Sequence, residues 1–217
     1  MKVGTDGVIL GSWADVNEAE YVLDTGTGTG FIALMIAQRS SAHVDAVEID
    51  ESACKDAAIN VEQSKWKNRI RVIHTSFQNF SAETDKKYDL IVSNPPYFTN
   101  SLKSGDSGKN LARHDDALPP GQLLNGVQKL LRDTGKFCLI LPAASVSGFL
   151  TEAALTKLYC NKRVNIFPST QKSSNRALLE LSFTRTKTED DKLIILGENG
   201  EYTSQYRELT KDFYLNF

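Results

Sequence analysis

The chain has 217 residues, 41% of them hydrophobic and 24% charged, with a formal net charge of −2 at pH 7. That length suits one well-cored domain, and no apolar run approaches the roughly 20 residues of a membrane span. The three cysteines, Cys54, Cys138 and Cys160, lie far apart with no CxxC pair, which argues against a disulfide framework or a zinc site; with no secretory leader before the first strand, a reducing cytoplasm is expected.

Apolar strand-like runs alternate with helical patterns, the signature of an α/β fold: a mostly parallel sheet with helices on both faces. "YVLDT" at 21–25 predicts the first strand and "GFIALMIAQRS" at 30–40 its helix. "HVDAVEI" (43–49), "IRVIHTS" (70–76), "YDLIVSN" (88–94) and "GKFCLILP" (135–142) predict four more strands, with helices over residues 51–65, 118–131 and 145–158. "KRVNIFPS" (162–169) and "ALLELSFTR" (177–185) follow without a convincing helix between them, so an antiparallel pair should close a seven-stranded sheet. Residues 187–217 predict a hairpin and tail. Two polar stretches, 1–20 and 99–117, read as long loops, which inside one domain spanning 1–217 are usually functional.

Between the first strand and its helix, "LDTGTGTGFIAL" carries Gly26, Gly28 and Gly30, where backbone can turn tightly and offer N–H groups to a ligand. The dinucleotide fingerprint G-x-G-x-x-G would need a glycine where Phe31 stands, which disfavours a nicotinamide cofactor. Glu48, ending the second strand, can accept from a ribose diol. Asp24 can attract an ammonium group, and Ser76 and Phe77 can offer polar and stacking contacts to an adenine. Together these describe S-adenosylmethionine better than NAD, although Phe77 also suits a core and Asp50 suits a helix cap.

The fourth strand ends in Asn94, Pro95, Pro96 and Tyr97. Proline cannot continue a ladder, so the strand stops and delivers an amide, two carbonyls and a ring in a stiff frame. Acceptors of this kind can hold both N–H bonds of an exocyclic amine and return its delocalised lone pair for attack on a methyl group. Tyr97 can stack on the base. A proline-terminated strand leading into a surface loop is the plainer alternative.

With these motifs the chain resembles the class I S-adenosylmethionine-dependent methyltransferases of the amino-methylating branch, whose hallmark is [N/D/S]-P-P-[Y/F/W]. It is most similar to the bacterial tRNA(Val) adenine-N6 methyltransferases. "MKVGTDGVILGSW" (1–13), "ARHDDALPPGQLL" (112–124) and "STQKSSNRALLELSF" (169–183) carry that closer match. The resemblance implies a Rossmann-like fold and a segment of Lys2, Gly4, Thr5 and Asp6 closing over the methionine part of the cofactor. It also implies that Asp24, Gly26, Gly28 and Gly30 line the carboxypropyl arm, that Glu48 takes the ribose, and that Asn94, Pro95 and Tyr97 hold the target. In such relatives a further segment precedes K-V-G-T-D-G, whereas this sequence starts at Met1 within the motif.

Substrate RNA contacts are expected from Lys103, Lys109, Arg113 and His114 in the loop after the tetrapeptide, and from Lys172 and Arg176 flanking "SSN". From residue 157 to 187 there are seven basic residues against one acid, Glu180, a local excess that reads equally as an RNA-facing patch or a solvated surface. No metal constellation is visible, and a monomer with tRNA as partner and no membrane is expected. A glutamine-amide N5 methyltransferase acting on a protein such as a release factor would use the same tetrapeptide. A non-catalytic RNA-binding module would not need two pockets.

Overall fold

The computed structural model describes residues 4–95 and 118–214. The elements in chain order are α1 (Thr5–Trp13), β1 (Tyr21–Thr25), α2 (Phe31–Arg39), β2 (His43–Glu48), α3 (Glu51–Glu62), β3 (Ile70–His74), α4 (Phe77–Glu83) and β4 (Tyr88–Ser93). They continue with α5 (Pro120–Leu130), β5 (Leu131–Pro142), α6 (Val146–Leu155), β6 (Tyr159–Ser169), β7 (Arg176–Ser182), β8 (Glu189–Leu196) and α7 (Ser204–Thr210).

All eight strands form one sheet, in the order β3-β2-β1-β4-β5-β7-β6-β8. Only β7 runs antiparallel to its neighbours, pairing with β5 on one side and β6 on the other. β1 and β4 are buried along nearly their whole length because helices cover both faces, which is why they read as continuous apolar runs. Two core clusters lie on the two sides of the sheet, one including Ile9, Ile36 and Tyr206, the other Phe80, Leu124 and Phe149. The chain leaves β1 outward to β2 and β3, then returns to place β4 on β1's other side. This reversal opens a crevice beyond the carboxyl ends of β1 and β4, where open α/β sheets bind ligands.

Four expectations need correcting. The sheet has eight strands, not seven: the segment expected to be a separate hairpin contributes β8, which pairs in parallel with β6 from Lys162↔Glu189 to Ser169↔Leu196. Residues 1–20 are not a polar loop throughout, since Thr5–Trp13 is helical and Gly7 to Ser12 are buried. Beyond its first turn that helix has no solvent-facing polar stripe because α2, α7 and β5 each pack against it. Its Gly11 lets α2 approach so closely that a Cβ there would lie 2.7 Å from the Met35 sulfur. The third strand stops at His74, and Phe77 opens α4 instead of extending the strand, with the Ser76 hydroxyl accepting from the Asn79 N–H at 3.1 Å as its cap. The expected strand 135–142 in fact starts at Leu131, directly after α5.

Other readings hold. Asp50 caps α3, its Oδ1 accepting from the Ala53 N–H at 2.7 Å. Trp13 and Trp66 pack against the core. No described helix is long and apolar enough to cross a membrane.

Candidate active site

The loop after β1 turns on three glycines with positive φ, Gly26 at 67°, Gly28 at 59° and Gly30 at 79°. L-residues with a Cβ avoid this region, so the alternating glycines are a backbone requirement. At Gly30 a Cβ would also press on Ala57 of α3 at 3.3 Å. The loop is tied to the end of β2: the N–H groups of Gly26 and Thr27 donate to the Val47 carbonyl at 2.9 and 3.0 Å. Glu48 continues the tie, its Oε2 accepting from the Gly28 N–H at 2.7 Å and its Oε1 from the Ile49 and Asp50 N–H groups at 2.9 Å each. Three backbone donors therefore fix the Glu48 carboxylate in one orientation, with one lone pair on Oε2 left for a ligand's hydroxyl.

Asp24 lies beneath this loop, fully buried. Its Oδ2 accepts from the Thr27 hydroxyl at 2.5 Å and the Ala33 N–H at 3.1 Å, joining the loop to the first turn of α2. Among the described residues, its Oδ1 and the neighbouring Thr25 hydroxyl are buried without a hydrogen-bond partner. Burial pushes the Asp24 carboxyl up to about 7; its two hydrogen bonds pull it down, and the charge of Glu48 adds to the rise.

These elements surround a cavity of about 370 Å³. Gly4 and Gly7 of the α1 end form one wall, and residues from Thr25 to Thr29 with Phe31 and Ile32 form another. Val47, Glu48 and Ile49 come from the end of β2, Thr75, Phe77 and Gln78 from the β3–α4 turn, and Ser93, Asn94 and Pro95 from the end of β4. Ile49 is 43% exposed although large and apolar, and with Phe77 it offers non-polar surface suited to a flat heterocycle. Phe77 is backed by α5 so tightly that a Cβ on Gly126 would fall 2.4 Å from its ring.

The structure thus brings together Gly4, Gly26, Gly28, Glu48, Phe77, Asn94 and Pro95, all of which line the cavity. Gly30, Asp24 and Ser76 shape it from outside, as helix start, buried support and helix cap. Thr5 is exposed and is not among the lining residues. Asp6 does not line the cavity either; its Oδ2 accepts from the Arg176 Nε–H at 3.0 Å. Arg176, one of the residues expected to contact RNA, makes that pairing through its Nε, and Lys172 is exposed. Lys2, Pro96, Tyr97, Lys103, Lys109, Arg113 and His114 lie outside the described residues. Thr27, Phe31, Ile49, Thr75, Gln78 and Ser93 were missed, and only their positions at strand ends or in the first turn of the helix that follows could have flagged them.

The basic excess between 157 and 187 is not one patch. Arg176 stands opposite Pro142 and Lys172 lies in the adjacent β6–β7 turn, both at the cavity edge of the sheet. Lys157, Arg185 and Lys187 lie beyond the opposite ends of β6 and β7, while Lys162 and Arg163 pair with Glu180 and Asp190. Among the described residues no group of three or more His, Cys, Asp or Glu side chains is placed to hold a metal ion.

Residues 6–141 match the family model described as a methyltransferase small domain. A tRNA1(Val) (adenine(37)-N6)-methyltransferase of Trichodesmium erythraeum is 43% identical over 220 residues, covering 100% of this chain and 92% of the relative. The chain belongs to the tRNA1(Val) (adenine(37)-N6)-methyltransferase family. A member from Bacteroides fragilis is 42% identical, covering 99% of this chain and 91% of its own. Among solved structures, a predicted O-methyltransferase from Agrobacterium tumefaciens superposes with a TM-score of 0.75 at 17% identity, over 95% of this chain and 96% of its own. A methyltransferase from Pyrococcus furiosus gives 0.58 at 21% identity, over 79% and 78%. At these identities the structural likeness establishes the class I methyltransferase fold alone.

The cavity fits the S-adenosylmethionine on which this family depends. Its volume, the oriented Glu48 carboxylate and the apolar faces of Ile49 and Phe77 supply an acceptor and surfaces for a cationic nucleoside.

Proposed function

We propose that this protein, as a single domain over 1–217 acting as a cytoplasmic monomer, transfers the methyl group of S-adenosylmethionine to the exocyclic N6 of an adenine in tRNA. The acceptor is the adenine beside the anticodon of tRNA(Val). The observation that carries this reading is that Asn94 and Pro95, at the end of β4, line the same cavity as the glycine loop and Glu48. A target held by the tetrapeptide and a cofactor held by the loop then share one chamber.

When bound, S-adenosylmethionine supplies an electrophilic methyl on a sulfonium whose sulfur leaves with the bonding pair. Glu48 would accept from a ribose hydroxyl through its remaining Oε2 lone pair, and its three backbone donors keep it aligned without reorganisation. Ile49 and Phe77 would offer apolar surface to the cofactor's heterocycle. The glycine loop, stitched to Val47, offers backbone N–H groups and close approach to the amino-acid arm. Asn94 Oδ1 and the Pro95 carbonyl accept the two N–H bonds of the target amine, so its lone pair is localised toward the methyl group. Pro96 and Tyr97 complete that grip as frame and stacking platform. The nitrogen sheds its proton only after it has become cationic, so no strong base is required. Lys172, exposed at the cavity edge, contributes to the RNA backbone contact together with Lys103, Lys109, Arg113 and His114.

The deciding experiment is methyl transfer from labelled S-adenosylmethionine to unmodified total tRNA, with DNA and a release-factor protein as parallel acceptors. N6-methyladenosine in the tRNA digest is the expected product. Label in protein alone would move the substrate to a glutamine amide, and label in DNA alone would remove tRNA from the account.

A further inference from the structure

The helix α1 contributes Gly4 and Gly7 to the cavity wall, yet its two ends are held in different ways. At its carboxyl end, Arg39 of α2 donates to the Gly11 and Ala14 carbonyls at 2.7 and 2.9 Å, and the turns from Gly7 to Ser12 are buried. At its amino end Gly4 and Thr5 are exposed, and the Gly4 cap offers no side-chain acceptor to the free N–H groups. What reaches that end is Arg176, from a position 170 residues later in the chain. Its Nε–H donates to Asp6 in the first turn, and a terminal nitrogen donates to the Asn175 carbonyl at 3.0 Å, which orients the guanidinium.

Two facts distinguish this pair from ordinary surface charges. Its side chains are only 27% and 24% exposed, whereas the Lys55–Glu51 pair on α3 is 70% and 68% exposed and so counts for little. The pair also joins two different elements: Arg176 opens β7 beside Pro142, while Asp6 sits between the two glycines that face the cavity. A contact there fixes a wall of the pocket to the sheet.

We propose that Arg176 is a positioning residue for the cofactor, acting through Asp6 to hold the first turn of α1 against the cavity. It makes no contact with the reacting atoms and serves no RNA phosphate. The inference rests on the reading of the cavity as an S-adenosylmethionine site.

The test titrates S-adenosylmethionine calorimetrically into the full chain and into Asp6→Asn, Arg176→Gln, Arg176→Lys and the Asp6→Asn/Arg176→Gln double variant, with tRNA binding and turnover measured in parallel. Each neutralised single variant is expected to weaken cofactor binding on the order of tenfold, and the double variant no more than either single, since the two act as a unit. Arg176→Lys should recover part of the affinity. Turnover at saturating cofactor should stay within about twofold, as should tRNA affinity and its salt dependence. Unchanged cofactor affinity with weaker tRNA binding and a flatter salt dependence would return Arg176 to the RNA and overturn the proposal. Additive losses in the double variant, or equal losses in cofactor affinity, tRNA affinity and turnover, would also overturn it, the last by showing a merely structural role. If the unaltered chain itself fails to bind S-adenosylmethionine, the cavity reading falls with it. Binding by the unaltered chain together with indifferent variants would sink the pair alone.

Discussion

Replacing Asp24 with Asn probes a carboxyl that burial holds well above its ordinary range. The carboxyl is fully buried, and that burial is the chief reason its pKa rises from 3.8 to about 7. Because the folded value exceeds the unfolded one, folding favours the protonated form: stability from this group is full below pH 4 and is lost as pH climbs to about 7. A shift of this size corresponds to about 4 kcal/mol, more than half of which falls between pH 5 and pH 8. The Asn side chain keeps the shape and an acceptor for the Thr27 hydroxyl and the Ala33 N–H, and it cannot ionise. Its amide nitrogen adds a penalty, but one independent of pH. Urea unfolding of the cofactor-free protein at several pH values should therefore show the Asp24→Asn variant gaining on the original chain as pH rises, even if it starts behind. Parallel stability curves across that range would refute the reasoning, since they would mean that Asp24 carries no raised pKa.

Three further outcomes are expected. Asn94→Ala should lower kcat on the order of a hundredfold while cofactor affinity, measured by calorimetry, changes little, because the lost acceptor serves the reacting nitrogen; wild-type turnover on saturating tRNA would contradict this. Gly126→Ala puts a Cβ 2.4 Å from the Phe77 ring, so the ring must move. Cofactor affinity should fall several-fold and urea stability by about 1–2 kcal/mol, and an unaltered affinity would show that Phe77 does not shape the binding surface. Lys172→Ala should reduce the slope of log tRNA affinity against log salt by roughly 0.7–0.9, and an unchanged slope would assign the side chain to solvent.

The central strands were legible because burial on both faces writes them as unbroken apolar runs. "DLIV" and "CLIL" allow few other readings once turn residues bound them. The helix α1 was hidden by its own packing: past its polar first turn "TDGVILGSW" is buried on every side and holds two glycines, so no helical stripe emerges until α2, α7 and β5 are in place around it. α4 was masked by aromatic residues that suit a strand as well as a short helix. β8 begins with Glu189, Asp190 and Asp191, and exposed carboxylates conceal a strand whose apolar part is only its second half. In the site, the glycines, Glu48 and Asn94 were readable because their chemistry is local. Phe31, Gln78 and Ser93 were not, since they meet only when separate strand ends converge. The Asp6–Arg176 contact lay beyond any local pattern.

The eighth strand settles how the sheet ends. An open edge offers unpaired N–H and C=O groups to any passing extended segment, yet here that rim starts with three consecutive carboxylates at residues 189–191, all exposed. A second copy attempting to dock strand to strand would have to strip water from both sets of like charges. Even with Asp190 paired to Arg163, the exposed carboxylates on the first half of β8 make the flank that closes the fold a poor template for a further strand.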